Sequence, residues 1–166
     1  MEVRELIRWM FDSHPDIVRA YKETDHHYNG ILNPYHLEGD CWAHLCMVMM
    51  KARDLGVPDV VRYAALFHDL GKIDTRRVNP EKGWVSFTGH EGVSFWKSIE
   101  HLQSLGMQGD DLIRCLQIIS LHTDLYKIVG SEKSDLSNGV INPRFFSKFK
   151  YNKDLVRDLV QHTRKV

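Results

Sequence analysis

Residues 63–72 read Tyr-Ala-Ala-Leu-Phe-His-Asp-Leu-Gly-Lys, the pattern of a helix that ends in polar side chains. Four positions recur at helical spacing and fall on one stripe: Val61, Ala64, Ala65 and His68. Gly71 is typical of a helix C-cap, so the helix is predicted to end there. An imidazole at the end of an apolar stripe needs a hydrogen-bond partner, because a buried ring nitrogen without one costs about 1–3 kcal/mol.

The dipeptide His68-Asp69 places an imidazole and a carboxylate at adjacent positions, where they can converge on one point. Two interpretations are open from these residues alone. Either the histidine is buried against a backbone carbonyl beside a surface aspartate, or the pair binds a metal ion. Lys72 follows, either as an ordinary cation at a helix C-terminus or as a group that meets the charge of a phosphate.

The composition favours one soluble domain over residues 1–166, a length sufficient to bury a core. The 22 basic and 22 acidic residues balance, which gives no electrostatic case for binding to extended nucleic acid or to a membrane. Three cysteines without a CxxC pair, no signal peptide and no long apolar run favour a reducing, cytoplasmic compartment. Ten histidines stand out, because histidine is the commonest metal ligand.

The N-terminal part of the chain is predicted to contain three helices, at residues 2–13, 15–22 and 41–55. The segment between the second and third helices is polar and contains Asp25-His26-His27. Because no strand precedes this tripeptide, it is interpreted as solvated surface rather than as a set of ligands.

On the third helix, His44 shares a face with Cys41 and Val48 and is therefore expected to point toward the core. Asp40 lies immediately before that helix. It is interpreted as the N-cap in preference to a group that orients His44 through a hydrogen bond.

A loop with a small hairpin is predicted after Lys72, because residues 73–89 contain turn signals and residues 84–88 alternate apolar and polar side chains. The next helix is predicted from Gly89-His90-Glu91 to about residue 105. His90 therefore lies at a helix start, from which its side chain can reach a neighbouring site.

A further helix is predicted over about residues 112–121, with Asp124 shortly after it. Its apolar stripe ends in a histidine and consists of Cys115, Ile118, Ile119 and His122. Residues 127–142 are predicted to form a loop and residues 143–166 two C-terminal helices. Since every long periodic segment is helical, the predicted fold class is an all-α bundle.

His44, His68 and His122 each project from the apolar stripe of a different helix. One shared metal ion would satisfy all three buried imidazoles together. Ligation by imidazole and carboxylate suits Mn, Fe, Co, Ni or Zn, and Mg is a further candidate. His90 would allow a second ion, with Asp69 as the bridging carboxylate.

In order along the chain, His44, His68-Asp69-Leu70-Gly71-Lys72, Gly89-His90-Glu91, His122 and Asp124 resemble the signature of HD-domain metal-dependent phosphohydrolases. The run from Tyr35 to His44 is similar to the HD domain of bacterial CCA-adding tRNA nucleotidyltransferases, and also resembles free-standing HD proteins of bacteria and phages. The resemblance covers about residues 33–124.

The resemblance implies a compact helical bundle that holds one or two divalent metal ions and hydrolyses phosphomonoesters or phosphodiesters. The implied metal ligands are His44, His68, Asp69, His90, His122 and Asp124. Thr123 separates the last two, although the corresponding His and Asp are adjacent in the CCA enzymes. Many members take their final aspartate from a C-terminal helix, where Asp158 is the candidate.

The expected reaction is attack on phosphorus by a metal-activated water, with Lys72 meeting the charge on the phosphoryl oxygens. His68 and Asp69 belong to the predicted catalytic centre, and His36 or Glu38 is proposed as the proton donor to the leaving group. Arg76 and Arg77 are further candidates for contact with phosphate, although a solvated position is favoured for both.

The expected substrate is a nucleotide or an RNA end carrying a 2′,3′-cyclic or other terminal phosphate, because tight binding to long nucleic acid would need many more cations. Tyr35, Trp42 and Trp84 are candidates for stacking on a base, although aromatic side chains at such positions more often belong to the core. Two alternatives remain open: a non-catalytic module that binds a nucleotide or a metal and regulates a partner, and a structural helical domain with core histidines. The sequence does not indicate the oligomeric state.

Overall fold

The structure is a computed structural model that describes residues 1–33 and 36–129, with side chains described as far as Thr123. Its first three helices are α1 (Val3–Ser13), α2 (Pro15–Glu23) and α3 (Cys41–Leu55). The backbone N–H of Ala43 donates to the carboxylate of Asp40 over 2.8 Å, so the predicted N-cap of α3 is confirmed.

The following elements are α4 (Asp59–Phe67), the short α5 (Lys72–Thr75), α6 (His90–Ser104) and α7 (Gly109–Val129). Between α5 and α6 lies an antiparallel hairpin of strands β1 (Arg77–Asn79) and β2 (Trp84–Ser86), in which Val78 pairs with Val85. The predicted helical fold with a small hairpin is confirmed.

The chain divides into two compact units, residues 1–120 and 121–166, and the second is described only as far as residue 129. In the first unit α3 packs against α1, α2 and α4, and α6 packs against α4 and α5. Burial of one leucine or phenylalanine side chain contributes about 1.5–3 kcal/mol. The fully buried apolar side chains of α1, α3 and α4 include Leu6, Met10, Leu45, Met49, Leu66 and Phe67. This core holds α3, which carries His44, against α4, which leads into His68 and Asp69.

Helix α4 ends at Phe67, so the predicted C-cap at Gly71 is wrong. Gly71 has a right-handed φ of −70° and joins the turn after α4 to α5. Its N–H donates to Oγ of Ser94 on α6 over 2.7 Å. Gly71 is therefore a packing contact between two segments, whereas the sequence pattern suggested a local cap.

Helix α7 is longer than predicted, since it begins at Gly109 and continues to Val129. Residues 127–129 are thus helical, and the loop predicted there is wrong for those three positions. The predicted C-terminal helices at 143–166 lie outside the described residues, as does Asp158. The single domain over residues 1–166 stays a prediction. No described helix has the length and apolar character needed to cross a membrane.

Candidate metal centre

Asp69 lies at the centre of the site and its side chain is only 3% exposed. Its Oδ2 atom lies 3.2 Å from Nε2 of His68 and 3.4 Å from Nε2 of His44. Its Oδ1 atom lies 3.2 Å from Nε2 of His90. Three imidazoles from α3, from the turn after α4 and from the start of α6 therefore converge on one buried carboxylate.

The other ring nitrogen of each histidine faces an acceptor, which determines the tautomer. Nδ1 of His68 donates to the carbonyl of Ala65 over 2.6 Å, and Nδ1 of His90 donates to the carbonyl of Phe87 over 2.8 Å. With the proton on Nδ1, the Nε2 atoms turn their lone pairs toward Asp69.

His44 follows the same rule, since its Nδ1 donates to Oε1 of Glu38. A carboxylate oxygen and an imidazole lone pair repel each other unless a proton or a cation lies between them. The donor set of His44, His68 and Asp69, whose ligand atoms all lie within 4.8 Å of one another, therefore fits a metal ion.

The electrostatic surroundings differ between His44 and His68. Burial, followed by the charge of His68, lowers the pKa of His44 to about 4, so this imidazole is neutral at pH 7 and suited to ligation. Burial also acts to lower the pKa of His68, but attraction to Asp69 and the bonds to Asp69 and Ala65 outweigh it, and the pKa is raised. His68 thus holds a proton beside Asp69 more readily than His44 does in the absence of a metal ion.

Lys72 is a buried member of the site and is only 4% exposed. Its Nζ atom lies 3.0 Å from Oδ2 of Asp69 and 3.2 Å from Nε2 of His26. The ammonium also lies 5.1 Å from the centre of the Phe87 ring, within cation–π range. An ordinary solvated cation at a helix end does not have these contacts, so Lys72 belongs to the interior of the site.

This geometry agrees with a comparison of the whole sequence with protein families, in which the HD domain matches residues 41–141. The chain belongs to the HD-domain family. Members of this family are typically metal-dependent phosphohydrolases. The buried cluster of histidines around Asp69 lies within the matched region, as the resemblance of the sequence motifs implied.

Several bacterial proteins named multifunctional CCA protein are similar to part of this HD domain. The protein of Legionella pneumophila (strain Lens) is 41% identical over 64 residues, which are 37% of this chain and 15% of the relative. The protein of Teredinibacter turnerae is 33% identical over 100 residues, or 53% of this chain and 23% of the relative. The chain thus spans less than a quarter of the length of these relatives. No solved structure matches it significantly.

Within the HD domain, Glu38 contacts Nδ1 of His44, the ring nitrogen that does not face Asp69, and His36 contacts Glu38. Nδ1 of His36 lies 3.3 Å from Oε1 of Glu38, the same oxygen that accepts from His44. Burial raises the pKa of Glu38, but hydrogen bonds from its own backbone N–H, from His44 and from His36 outweigh this effect and lower the pKa to about 2. Glu38 is therefore an ionised acceptor that orients His44, and the role of either residue as proton donor stays a prediction.

His26 is a residue of the HD-domain site that the sequence analysis missed. Its side chain is buried, with 1% of the residue exposed, so the interpretation of position 26 as solvated surface is wrong. The loop after α2 folds back so that the His26 N–H donates to the carbonyl of Gly39, next to the start of α3. No periodicity marks a histidine in such a loop, and only its proximity to Lys72 in space reveals it.

The predicted ligands His122 and Asp124 lie on α7, in the unit that begins at residue 121. His122 follows Ile118 and Ile119 by four and three residues, so the three share one face of the helix. The side chain of Asp124 lies outside the described residues. The participation of His122 and Asp124 in the metal centre stays a prediction.

Proposed function

We propose that this HD domain hydrolyses phosphoesters with a water activated by a divalent metal ion. The observation that carries the proposal is the convergence of the Nε2 atoms of His44, His68 and His90 on the buried carboxylate of Asp69. These four residues would hold one or two ions, and His122 and Asp124 are the further ligands that the sequence predicts. Ligands from several helices are typical of an open catalytic site.

A bound divalent ion would lower the pKa of a coordinated water toward about 7 and offset charge on a phosphoryl group. Other residues of the chain orient the imidazoles that would bind the ion. Glu38 holds His44 by its Nδ1–H, and the Phe87 carbonyl holds His90 in the same way. Lys72 supplies a fixed positive charge beside Asp69, where it can stabilise negative charge that develops on phosphoryl oxygens.

We further propose that the substrate is a nucleotide or an RNA end with a 2′,3′-cyclic or other terminal phosphate. The balanced charge of the chain supports a small ligand over long nucleic acid. Hairpin residue Trp84 is 61% exposed and therefore available for stacking on a base. The same hairpin leads directly into Phe87, whose ring contacts Lys72.

The test is a panel of nucleoside mono-, di- and triphosphates and 2′,3′-cyclic nucleotides, assayed with Mn, Co, Ni, Zn or Mg. Hydrolysis by the native protein should be abolished by Asp69→Asn. The matched control is Asp54→Asn, because Asp54 is an exposed carboxylate that pairs with its neighbour Arg53.

Two results would contradict hydrolysis. Nucleotide-dependent thermal shifts without turnover would identify a regulatory binding module instead. A protein that neither turns over any member of the panel nor binds metal, and that melts at an unchanged temperature when His44 and His68 are replaced together, would be a structural helical domain.

A further inference from the structure

His26 lies 46 residues before Lys72 in the sequence and is in contact with it in the structure. The imidazole is enclosed by aromatic rings. It stacks on the ring of His36 at a centroid distance of 4.1 Å and an angle of 13°, and it meets the edge of Phe87 at 5.5 Å. These contacts fix both the position of the ring and the direction of its nitrogen atoms.

The hydrogen bonds of His26 assign its protonation state. The carbonyl of Gly39 accepts from the backbone N–H of His26 over 2.9 Å and lies 2.6 Å from Nδ1, which must therefore carry a proton. Nε2 lies 3.2 Å from the ammonium of Lys72. Because an ammonium group donates hydrogen bonds and has no lone pair, Nε2 must be the acceptor. Burial, followed by the charge of Lys72, lowers the pKa of His26 to about 3, in agreement with a neutral ring.

The ammonium of Lys72 thus has two partners at defined places: it forms an ion pair with Oδ2 of Asp69 and a hydrogen bond with Nε2 of His26. If Asp69 were the only partner of Lys72, rotation about the four-carbon stem could place Nζ at several positions around the carboxylate. The second acceptor leaves one orientation, in which Nζ lies between the carboxylate and the imidazole. Within the described part of the chain the ammonium has no polar contact besides these two, so it can also donate to a ligand oxygen.

We propose that His26 is a positioning residue that holds the Lys72 ammonium at the metal centre, where it meets the phosphoryl group of the substrate. The catalytic consequence of this inference rests on the proposed function. The contact between His26 and Lys72 does not depend on that function. His26 acts through Lys72 and does not touch the substrate. The alternative is a structural role, in which His26 serves only to join the loop after α2 to Gly39.

Two substitutions separate these roles because each retains one half of the imidazole. The amide of asparagine can occupy the place of Nδ1, so His26→Asn keeps a donor for Gly39 and removes the acceptor for Lys72. The longer glutamine places its amide oxygen near the position of Nε2, so His26→Gln keeps the acceptor for Lys72 and removes the donor for Gly39. A third variant, Lys72→Met, removes the ammonium itself.

The first measurement is the ammonium signal of Lys72 in proton–nitrogen NMR spectra, assigned by its loss in Lys72→Met. A lysine ammonium held by two acceptors exchanges slowly with water and gives a resonance that solvated lysines do not. The proposal predicts that the signal persists in His26→Gln and disappears in His26→Asn. Persistence in His26→Asn, with loss in His26→Gln, would assign His26 a structural role and overturn the proposal.

The second measurement is a double-mutant cycle on kcat/KM with the best substrate of the nucleotide panel. His26→Asn should reduce kcat/KM on the order of tenfold or more, as expected for loss of a hydrogen bond to a charged group, and His26→Gln should recover most of the activity. In the Lys72→Met background, His26→Asn should have no further effect. Additive losses in the double mutant would contradict action through Lys72.

The two proposals fail in different ways. If the native protein hydrolyses nothing, the proposed function fails, but the NMR comparison still decides whether His26 holds Lys72. Melting temperatures of both His26 variants, measured in parallel, show whether a lost signal reflects a lost contact or an unfolded protein.

Discussion

The backbone of Gly71 lies so close to that of His90 that a Cβ atom at position 71 would be 2.3 Å from the His90 carbonyl oxygen. The same atom would be 2.7 Å from the backbone nitrogen of Ser94. Both contacts are with the backbone of α6, which cannot rotate away. A glycine at position 71 therefore allows the turn that carries Asp69 to approach the helix that begins with His90.

Gly71→Ala is expected to lower the free energy of unfolding by about 1–3 kcal/mol, the usual cost of overpacking. It should also weaken metal binding, because the two segments that carry Asp69 and His90 would move apart. Chemical denaturation and metal titration by calorimetry measure the two effects. Gly92→Ala on the same helix is the control, since a Cβ there would meet no atom of another segment within 4 Å. Equal stability of the two variants would contradict this account of Gly71.

Metal binding is expected to stabilise the protein, because the ion binds the native state in preference to the unfolded chain. At 100 times Kd the stabilisation is about 2.7 kcal/mol. For a domain of this size it corresponds to a rise in Tm of roughly 5–10 °C. Differential scanning fluorimetry with Mn, Co, Ni or Zn, followed by addition of EDTA, measures the rise and its reversal. Asp69→Asn should remove the response and Asp54→Asn should keep it; a native Tm that no metal changes would argue against a preformed centre.

Glu38→Gln is expected to reduce metal affinity by about 10–100-fold, the typical effect of losing a group that orients a ligating histidine. The physical reason is that the neutral amide bonds less strongly to the Nδ1–H of His44 than the carboxylate does. Calorimetric titration of the variant with Co or Mn measures the change. Exposed Glu81→Gln is the control, and an unchanged affinity in Glu38→Gln would show that His44 needs no orienting acceptor.

The stability contributed by ionised Glu38 is expected to depend on pH in a defined direction. The pKa of Glu38 is depressed from its ordinary value of 4.5 to about 2 in the folded protein. The contribution is therefore fully present above pH 4.5 and is lost as the pH falls toward 2. Urea denaturation from pH 2 to 7 should show a native stability curve that falls more steeply below pH 4.5 than that of Glu38→Gln. Parallel curves would contradict the assigned pKa.

Trp84→Ala is expected to raise KM for a nucleotide substrate about tenfold, because base stacking on an aromatic side chain contributes about 1–3 kcal/mol. Stability should change little, since the side chain is largely exposed. Steady-state kinetics with the best substrate measures KM. Trp96→Ala is the matched control, because Trp96 is 72% exposed and lies on α6 outside the hairpin. Equal KM values for both variants would exclude the hairpin from substrate binding.

Much of the fold could be predicted because helical periodicity and capping are local properties. The bounds of α1, α2 and α3 agree with the apolar spacing, and the cap at Asp40 follows from its place before Cys41. The end of α4 could not be predicted in the same way. Gly71 has the sequence context of a C-cap, but its conformation is determined by contact with α6.

The residues of the candidate site also differ in whether local sequence could predict them. Each of His44, His68 and His90 could be identified from its place on a predicted helix or at one of its ends. His26 could not, because its loop has no periodicity and its partners Lys72 and Gly39 are distant in sequence.

The sequence by itself determined which segments are helical and which of their histidines and acids are available as ligands, since these depend on neighbours within one or two turns. Only the tertiary structure decided that the Nε2 atoms of three histidines meet one carboxylate and that Lys72 is held between Asp69 and His26. Packing of α3, α4 and α6 around a common core brings these groups together, because contacts across tens of residues follow from how whole helices fit against one another.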